Sequence, residues 1–573
     1  MSALFLLRRL PFLAAASLAC SAALAQSPCE ARFPMDVLAD EGPDGGLELA
    51  LRPDELRSLA QHDRATFTGI PLPDGSAVDV EAERVVLDDS ELVVMVDGVP
   101  SQPVDDSSSM WVGRIAGDAD SDLFLAFSEH GSRGWIRRAG ETYHLLAGPG
   151  PDGDWSRSVS RLVSESRLLA LGARPSGCVG DALPVPGRPA APAPSSTGGT
   201  QTLTTTTLVC RMAVETDYQL FTRFNNLVAE QTYVTQLFAA GSDRYDEQLH
   251  TVLERVFVAY YTTNTDPWVA PDVGGGSVDA LYELQAYYGG NLPNGANLAT
   301  LWSGAGLGGG VAWLDTLCDS NFGFNVAGNL TIQGGLTPFP VTQGPLTWDF
   351  VVTTHETGHS FGTPHTHDFC PPIDECAPAG YFGQCQTQQV CISNGTLMGY
   401  CHLCSGGMSN VYPYFAQACA DLMRQRAEAS CLSPVCATPL NFCPATTNTT
   451  GLPGSMSWSG SQGIGANTFT LIASELPLNK TAFFFYGSQP VQVAVGQGWR
   501  CAGGSVFRLR PALNSGPGGS ISRLLDFSQP PAGSGSGMIQ PGMTRYFQAY
   551  YRDPAGGGAG FNLTDALEVE FCP

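Results

Sequence analysis

The chain has 573 residues, of which 43% are hydrophobic and 14% charged, with a net charge of −25 and Lys480 as its single lysine. Its length allows about three or four domains of ~150 residues, and its hydrophobic share excludes a disordered polyelectrolyte. The acidic balance excludes a phosphate-backbone binder, which needs clustered Lys and Arg, so no nucleic-acid partner is expected. The 66 glycines and 41 prolines point to many turns and much β-structure rather than long helical bundles.

Residues 1–25 read as an export signal: Arg8 and Arg9, an apolar run from Leu10 to Leu24, and a small-x-small site at Ala23-Leu24-Ala25 before Gln26. A lipoprotein signal ending at Cys20 is disfavoured, because Ser17 stands where such a signal usually carries Leu. No later stretch has the ~18 uninterrupted apolar residues of a membrane span, so the product is expected to be secreted. Of the 17 cysteines, Cys20 leaves with the signal. The even remainder in an oxidising compartment predicts disulfides. They fall as Cys29 and Cys178, then ten from Cys210 to Cys431, then Cys436, Cys443, Cys501 and Cys572. Each group is even, so closure within three separate units is expected.

Residues 26–180 alternate apolar and polar residues in short runs, such as Glu91-Leu-Val-Val-Met-Val96 and Leu123-Phe-Leu-Ala-Phe127, which predicts antiparallel β-structure. Residues 181–202 are rich in Pro, Ala and Ser and read as an extended linker, with Arg188 as a place for proteolytic cutting. Residues 203–436 carry a mixed α/β pattern: a strand over Leu208–Val214, helical spacing from Leu227 to Arg255, and a strand over Val256–Tyr261. Residues 437–573 return to short β runs with Gly-rich turns.

Four of the nine histidines, His355, His359, His365 and His367, lie in HETGHSFGTPHTH, which contains HExxHxxGxxH. The preceding apolar face predicts a helix with Thr347 as N-cap. On that helix His355 and His359 are offset by about 40° and ~6 Å, so both rings can reach one ion, while Glu356 projects beside it. Gly362 can take the left-handed conformation that ends a helix, and the chain then turns to deliver His365. Three neutral imidazoles leave one position on zinc open, the pattern of a catalytic site. Zinc lowers the pKa of its bound water towards ~7, and Glu356 takes the proton and passes it to the leaving amine. His367 is expected to be a partly exposed ring paired with Asp368.

This region resembles the metzincin zinc endopeptidases, and within them the adamalysin/reprolysin branch and its bacterial secreted relatives. The resemblance also rests on Leu208–Tyr218, on Leu307-Gly-Gly-Gly-Val-Ala-Trp-Leu-Asp-Thr-Leu-Cys318, and on Met398 in Thr396-Leu-Met-Gly-Tyr400. It implies a twisted mixed sheet with an active-site helix, a Met-turn at Met398, and an edge strand after Leu307 that a peptide substrate extends. The branch usually has Asp directly after its third His, where Thr366 stands here. Tyr400 resembles the metal-proximal Tyr of other metzincins, which gives two readings: an oxyanion contact or a Tyr packed under the site. Trp111–Asp122 and Thr142–Leu146 resemble a reprolysin-type propeptide, so Cys178 is either a cysteine switch or the disulfide partner of Cys29. The last domain resembles an uncharacterised β-rich C-terminal module of secreted bacterial proteins.

The whole therefore reads as a multidomain protein: a β-rich prodomain, an α/β metzincin domain and a C-terminal all-β domain. The expected function is a secreted zinc endopeptidase acting on proteins or peptides and made as a zymogen. The alternative is an inactive protease-like adhesin that binds through its C-terminal domain. Cys401-His402-Leu403-Cys404 reads as disulfide cysteines before half of a second zinc site. Asp118–Asp122 and Asp374-Glu375 lack EF-hand spacing, so they read as solvated loops rather than Ca2+ sites.

Overall fold

The computed structural model describes residues 29–39, 45–103, 108–150, 153–173, 182–189, 192–196, 206–331, 346–435 and 438–572. The signal expected at 1–25, and Cys178 with its two readings, lie outside the described residues.

The N-terminal region forms a ten-stranded sheet with Cys29–Arg32 at one edge and Met35–Ala39 at the other. Only Phe33 and Pro34 separate those two strands in the chain, so the sheet must curl until its edges approach. It closes on a core that includes Phe67, Trp111, Leu125, Phe127 and Leu145. In the strand Asp122–Phe127 every residue is buried. Leu123, Leu125 and Phe127 face the curled core, while Phe124 and Ala126 belong to a second core shared with the following domain. Alternation of side chains across a strand produces that split, and burial on both faces explains its continuous apolar run.

The central sheet orders its strands as Gly310–Ala312, Phe324–Ala327, Leu298–Trp302, Leu208–Thr216 and Thr251–Tyr260, followed by Val93–Val96 and Val99–Ser101. The edge strand Gly310–Ala312 is antiparallel to its neighbour, whereas the next three pairings are parallel. Val93–Val96 comes from the N-terminal region, yet it pairs in parallel with Thr251–Tyr260.

Two helices pack into the same core. The first, Leu227–Leu249, begins where the Asn226 side chain accepts from Ala229 N–H at 3.0 Å. It ends at His250, whose left-handed conformation (φ 47°) starts the strand at Thr251, earlier than the spacing predicted. The second, Leu346–Ser360, carries the histidines and buries Trp348, Phe350, Val351 and Val352. Thr347 lies inside this helix rather than capping it, and its hydroxyl is engaged by His144 at 2.8 Å.

Among the described residues, four disulfides hold the α/β region: Cys318–Cys431, Cys370–Cys385, Cys376–Cys401 and Cys391–Cys404. Cys210 and Cys419 are free and buried, against the expectation from even counting. Both sit in the apolar core, where a thiol packs as a small hydrophobe. The C-terminal region is β-rich, built on the antiparallel strands Thr481–Gly487, Met543–Arg552 and Phe561–Phe571 around Phe484, Phe547 and Phe571, with a Cys443–Cys501 disulfide. Among the described residues, no helix is long and apolar enough to cross a membrane.

Candidate metal centre

The histidine helix stops as its sequence predicts. Gly362 has φ 94°, and its N–H donates to the His359 carbonyl at 2.9 Å. A residue with a Cβ at 362 would be strained there and would press on Asp315. The reversal returns His365 to the helix, and one ligand atom from each of His355, His359 and His365 lies within 4.8 Å of the others. The Nε2 of His359 is 3.0 Å from that of His355 and 3.2 Å from that of His365.

The far side of each ring fixes its tautomer. His355 Nδ1–H donates to the Leu397 carbonyl at 2.7 Å, and His359 Nδ1–H donates to the Thr363 carbonyl at 2.8 Å. His365 Nδ1–H donates to Asp368 Oδ2 at 3.2 Å. With the Nδ1 protons committed there, the three Nε2 lone pairs converge and neither Nε2–Nε2 approach has a ring proton between its two atoms. That arrangement is costly unless a cation sits among them, and it matches the three-histidine donor set of catalytic zinc. Burial pushes the pKa of His355 down to about 4, and burial together with mutual repulsion holds His359 and His365 well below the usual range. All three are therefore neutral at neutral pH, the form that ligates metal.

The sequence pairs Asp368 with His367, and the carboxylate does approach that ring, but its hydrogen bond goes to His365. His367 is buried, 3% exposed, not a partly exposed ring. It stacks on His365 at 4.9 Å with 9° between the planes, and its Nε2 stays 3.9 Å from Asp368.

Met398 lies against the middle of the helix, where a Cβ on Gly358 would come 2.9 Å from its sulfur. Its carbonyl accepts from Thr366 N–H at 3.0 Å, which ties the Met398 turn to the third-histidine loop. Tyr400 is buried, and its hydroxyl donates to His365 Nε2 at 3.1 Å, so the phenol faces the cluster. Glu356 is fully buried next to the edge strand, close against Gly310.

Cys401 and Cys404 are both disulfide-bonded, as the sequence reading put first, and the lesser reading as half of a second zinc site fails. His402 instead packs 5.3 Å from Trp348, and burial lowers its pKa to about 3. The acidic runs are not solvated loops throughout. Asp122 is buried and accepts from Arg244 at 3.0 Å and from Trp135 Nε1 at 2.7 Å, and Asp374 is buried beside Gly399. Sequence reasoning missed the Leu397 and Thr363 carbonyls, which carry no side-chain signal. It also missed the pairing of Gly310 with Glu356, for which the Gly-Gly-Gly run was the available clue.

Residues 206–405 match the Reprolysin_5 model, described as metallo-peptidase family M12. Among solved structures the chain is similar to metalloproteinase-II from Bacteroides fragilis, at 10% identity and a TM-score of 0.33, covering 59% of this chain and 92% of that one. No curated protein is significantly similar to the chain.

Proposed function

We propose, from the premise that residues 206–405 are a metzincin-like M12 metallopeptidase domain and the chain a zinc metalloendopeptidase, that it is secreted as a zymogen and uses Glu356 as its general base. The observation that carries the site assignment is the convergence of three Nε2 atoms whose Nδ1 protons are all committed elsewhere. His355, His359 and His365 would hold zinc. Zinc bound there supplies Lewis acidity, acidifying water and polarising the substrate carbonyl. Glu356, beside the ligands and shielded from solvent, accepts the proton of the attacking water and returns it to the leaving amine. Tyr400 directs its hydroxyl to the developing oxyanion. The edge strand Gly310–Ala312 aligns an extended substrate by backbone pairing.

The zymogen reading is supported by the linker. Leu183 N–H donates to the Ala312 carbonyl at 2.8 Å, and the Leu183 carbonyl accepts from Leu314 N–H at 2.9 Å. Val185 inserts into an apolar cluster with Trp313 and Leu281. The Arg188 guanidinium donates to the Asp315 carbonyl and to Asp319, each at 2.7 Å, and Cys370 N–H donates to the Pro194 carbonyl at 2.9 Å. The linker thus occupies backbone groups that a substrate would need. Residues 186–189 remain exposed, open to a cut after Arg188.

The test compares intact and linker-cut protein for zinc content and for peptide release from a denatured protein. The cut form is expected to hold about one catalytic zinc, to hydrolyse, to lose activity to a chelator and to regain it with zinc. A cut, zinc-loaded form without hydrolysis would overturn the reading.

A further inference from the structure

We propose that residues 29–173 are a permanent structural subunit of this protease, retained non-covalently after the linker is cut rather than released on maturation. The inference rests on the reading of the linker as the maturation site, and it follows from how differently the two segments are attached.

Among its described residues the linker is held by a few backbone hydrogen bonds, the buried Val185 side chain and the hydrogen bonds of an exposed Arg188. The N-terminal region is built into the catalytic core. Its strand Val93–Val96 extends the central sheet, and its removal would bare the edge of Thr251–Tyr260. Phe124, Trp135, Ala147 and Trp155 share one continuous core with Phe224, Tyr233 and Phe350. Trp135 packs 4.8 Å from Phe350 of the histidine helix. Release would put both sides of that contact into water, and burial of such side chains is the dominant favourable term in association.

Buried polar ties cross the same boundary. Asp122 and Arg244, 6% and 4% exposed, pair at 3.0 Å. Separating them would leave two charges whose compensation is built into the interface. Trp155 Nε1 donates to the Phe224 carbonyl at 2.8 Å, and Arg133 donates to Gln236 at 3.2 Å.

Three further ties grip the elements that carry the metal centre. His144, with no exposed surface, bridges Thr347 of the histidine helix and Glu165 of the N-terminal region, at 2.8 Å on each side. Glu165 in turn accepts from Met408 N–H at 2.8 Å, and Arg137 donates to the Ser409 carbonyl at 2.8 Å. The N-terminal region therefore fixes the start of the histidine helix relative to the loop that follows the Met398 turn. Its partner surface is the rest of this chain.

The experiment uses the full chain with the recognition sequence of a site-specific protease inserted after Arg188, the cut on which the proposed function rests. The folded protein is cut there, then analysed by size exclusion and intact mass. The two fragments are expected to elute together at the mass of the whole chain, and to separate only in guanidinium chloride. Asp122→Ala, cut after folding, is expected to release a larger fraction of the N-terminal fragment on dilution. An N-terminal fragment that elutes alone, with the remainder still folded and monodisperse, overturns the proposal whether or not the remainder hydrolyses peptide. Co-eluting fragments that take up zinc but fail to hydrolyse peptide would support retention while counting against the proposed function.

Discussion

Gly310 and Glu356 are fitted to each other: a Cβ on Gly310 would stand under 3.0 Å from the Glu356 carboxylate. The edge strand can pass this closely only because the position has no side chain. The demand is for space, since positive φ is confined to the preceding Gly308 and Gly309. Gly310→Ala is therefore expected to displace the carboxylate and lower kcat by about tenfold to a hundredfold, with zinc retained. Unchanged kcat in that variant would show that Glu356 tolerates the shift.

The proposed third ligand is His365, supported by the direction of its Nε2 towards His359 and by its Nδ1 bond to Asp368. His365→Ala is expected to lose both zinc and hydrolysis, and His367→Ala to keep the metal. Measured zinc stoichiometry decides between them. Loss of zinc in His367→Ala alone would reassign the ligand.

Asp368→Asn removes the charge that holds the His365 tautomer. Partners of this kind typically account for about ten- to a hundredfold in metal affinity, and a loss of that size is expected in zinc competition titrations. An unchanged affinity would mean that the 3.2 Å contact does no more than pack.

The histidine helix was legible in the sequence because its information is local. Histidines four residues apart share a helix face, and Gly362 turned the chain where its conformational freedom allowed. Longer-range relations were not legible. Alternating residues marked Val93–Val96 as a strand, but nothing local says that it pairs with Thr251–Tyr260 rather than with its own sheet. Asp122 reads as a solvated loop carboxylate until Arg244, far along the chain, is placed against it. The even cysteine count misled for Cys210 and Cys419, because parity cannot distinguish a paired thiol from one packed in a core.

Tyr400→Phe separates the two roles of the phenol. If its hydroxyl stabilises the oxyanion, kcat falls by about tenfold to a hundredfold with KM and melting temperature nearly unchanged. A drop in melting temperature with kcat intact would assign Tyr400 to packing beneath His365.

The central claim, a three-histidine zinc centre served by Glu356, is tested most directly by zinc content and peptide hydrolysis measured together on linker-cut Glu356→Gln. The buried, nearly isosteric amide keeps the site's shape but cannot take a proton. The account predicts full zinc occupancy and hydrolysis reduced by about 10² or more. Near-normal hydrolysis in the zinc-loaded variant would contradict it.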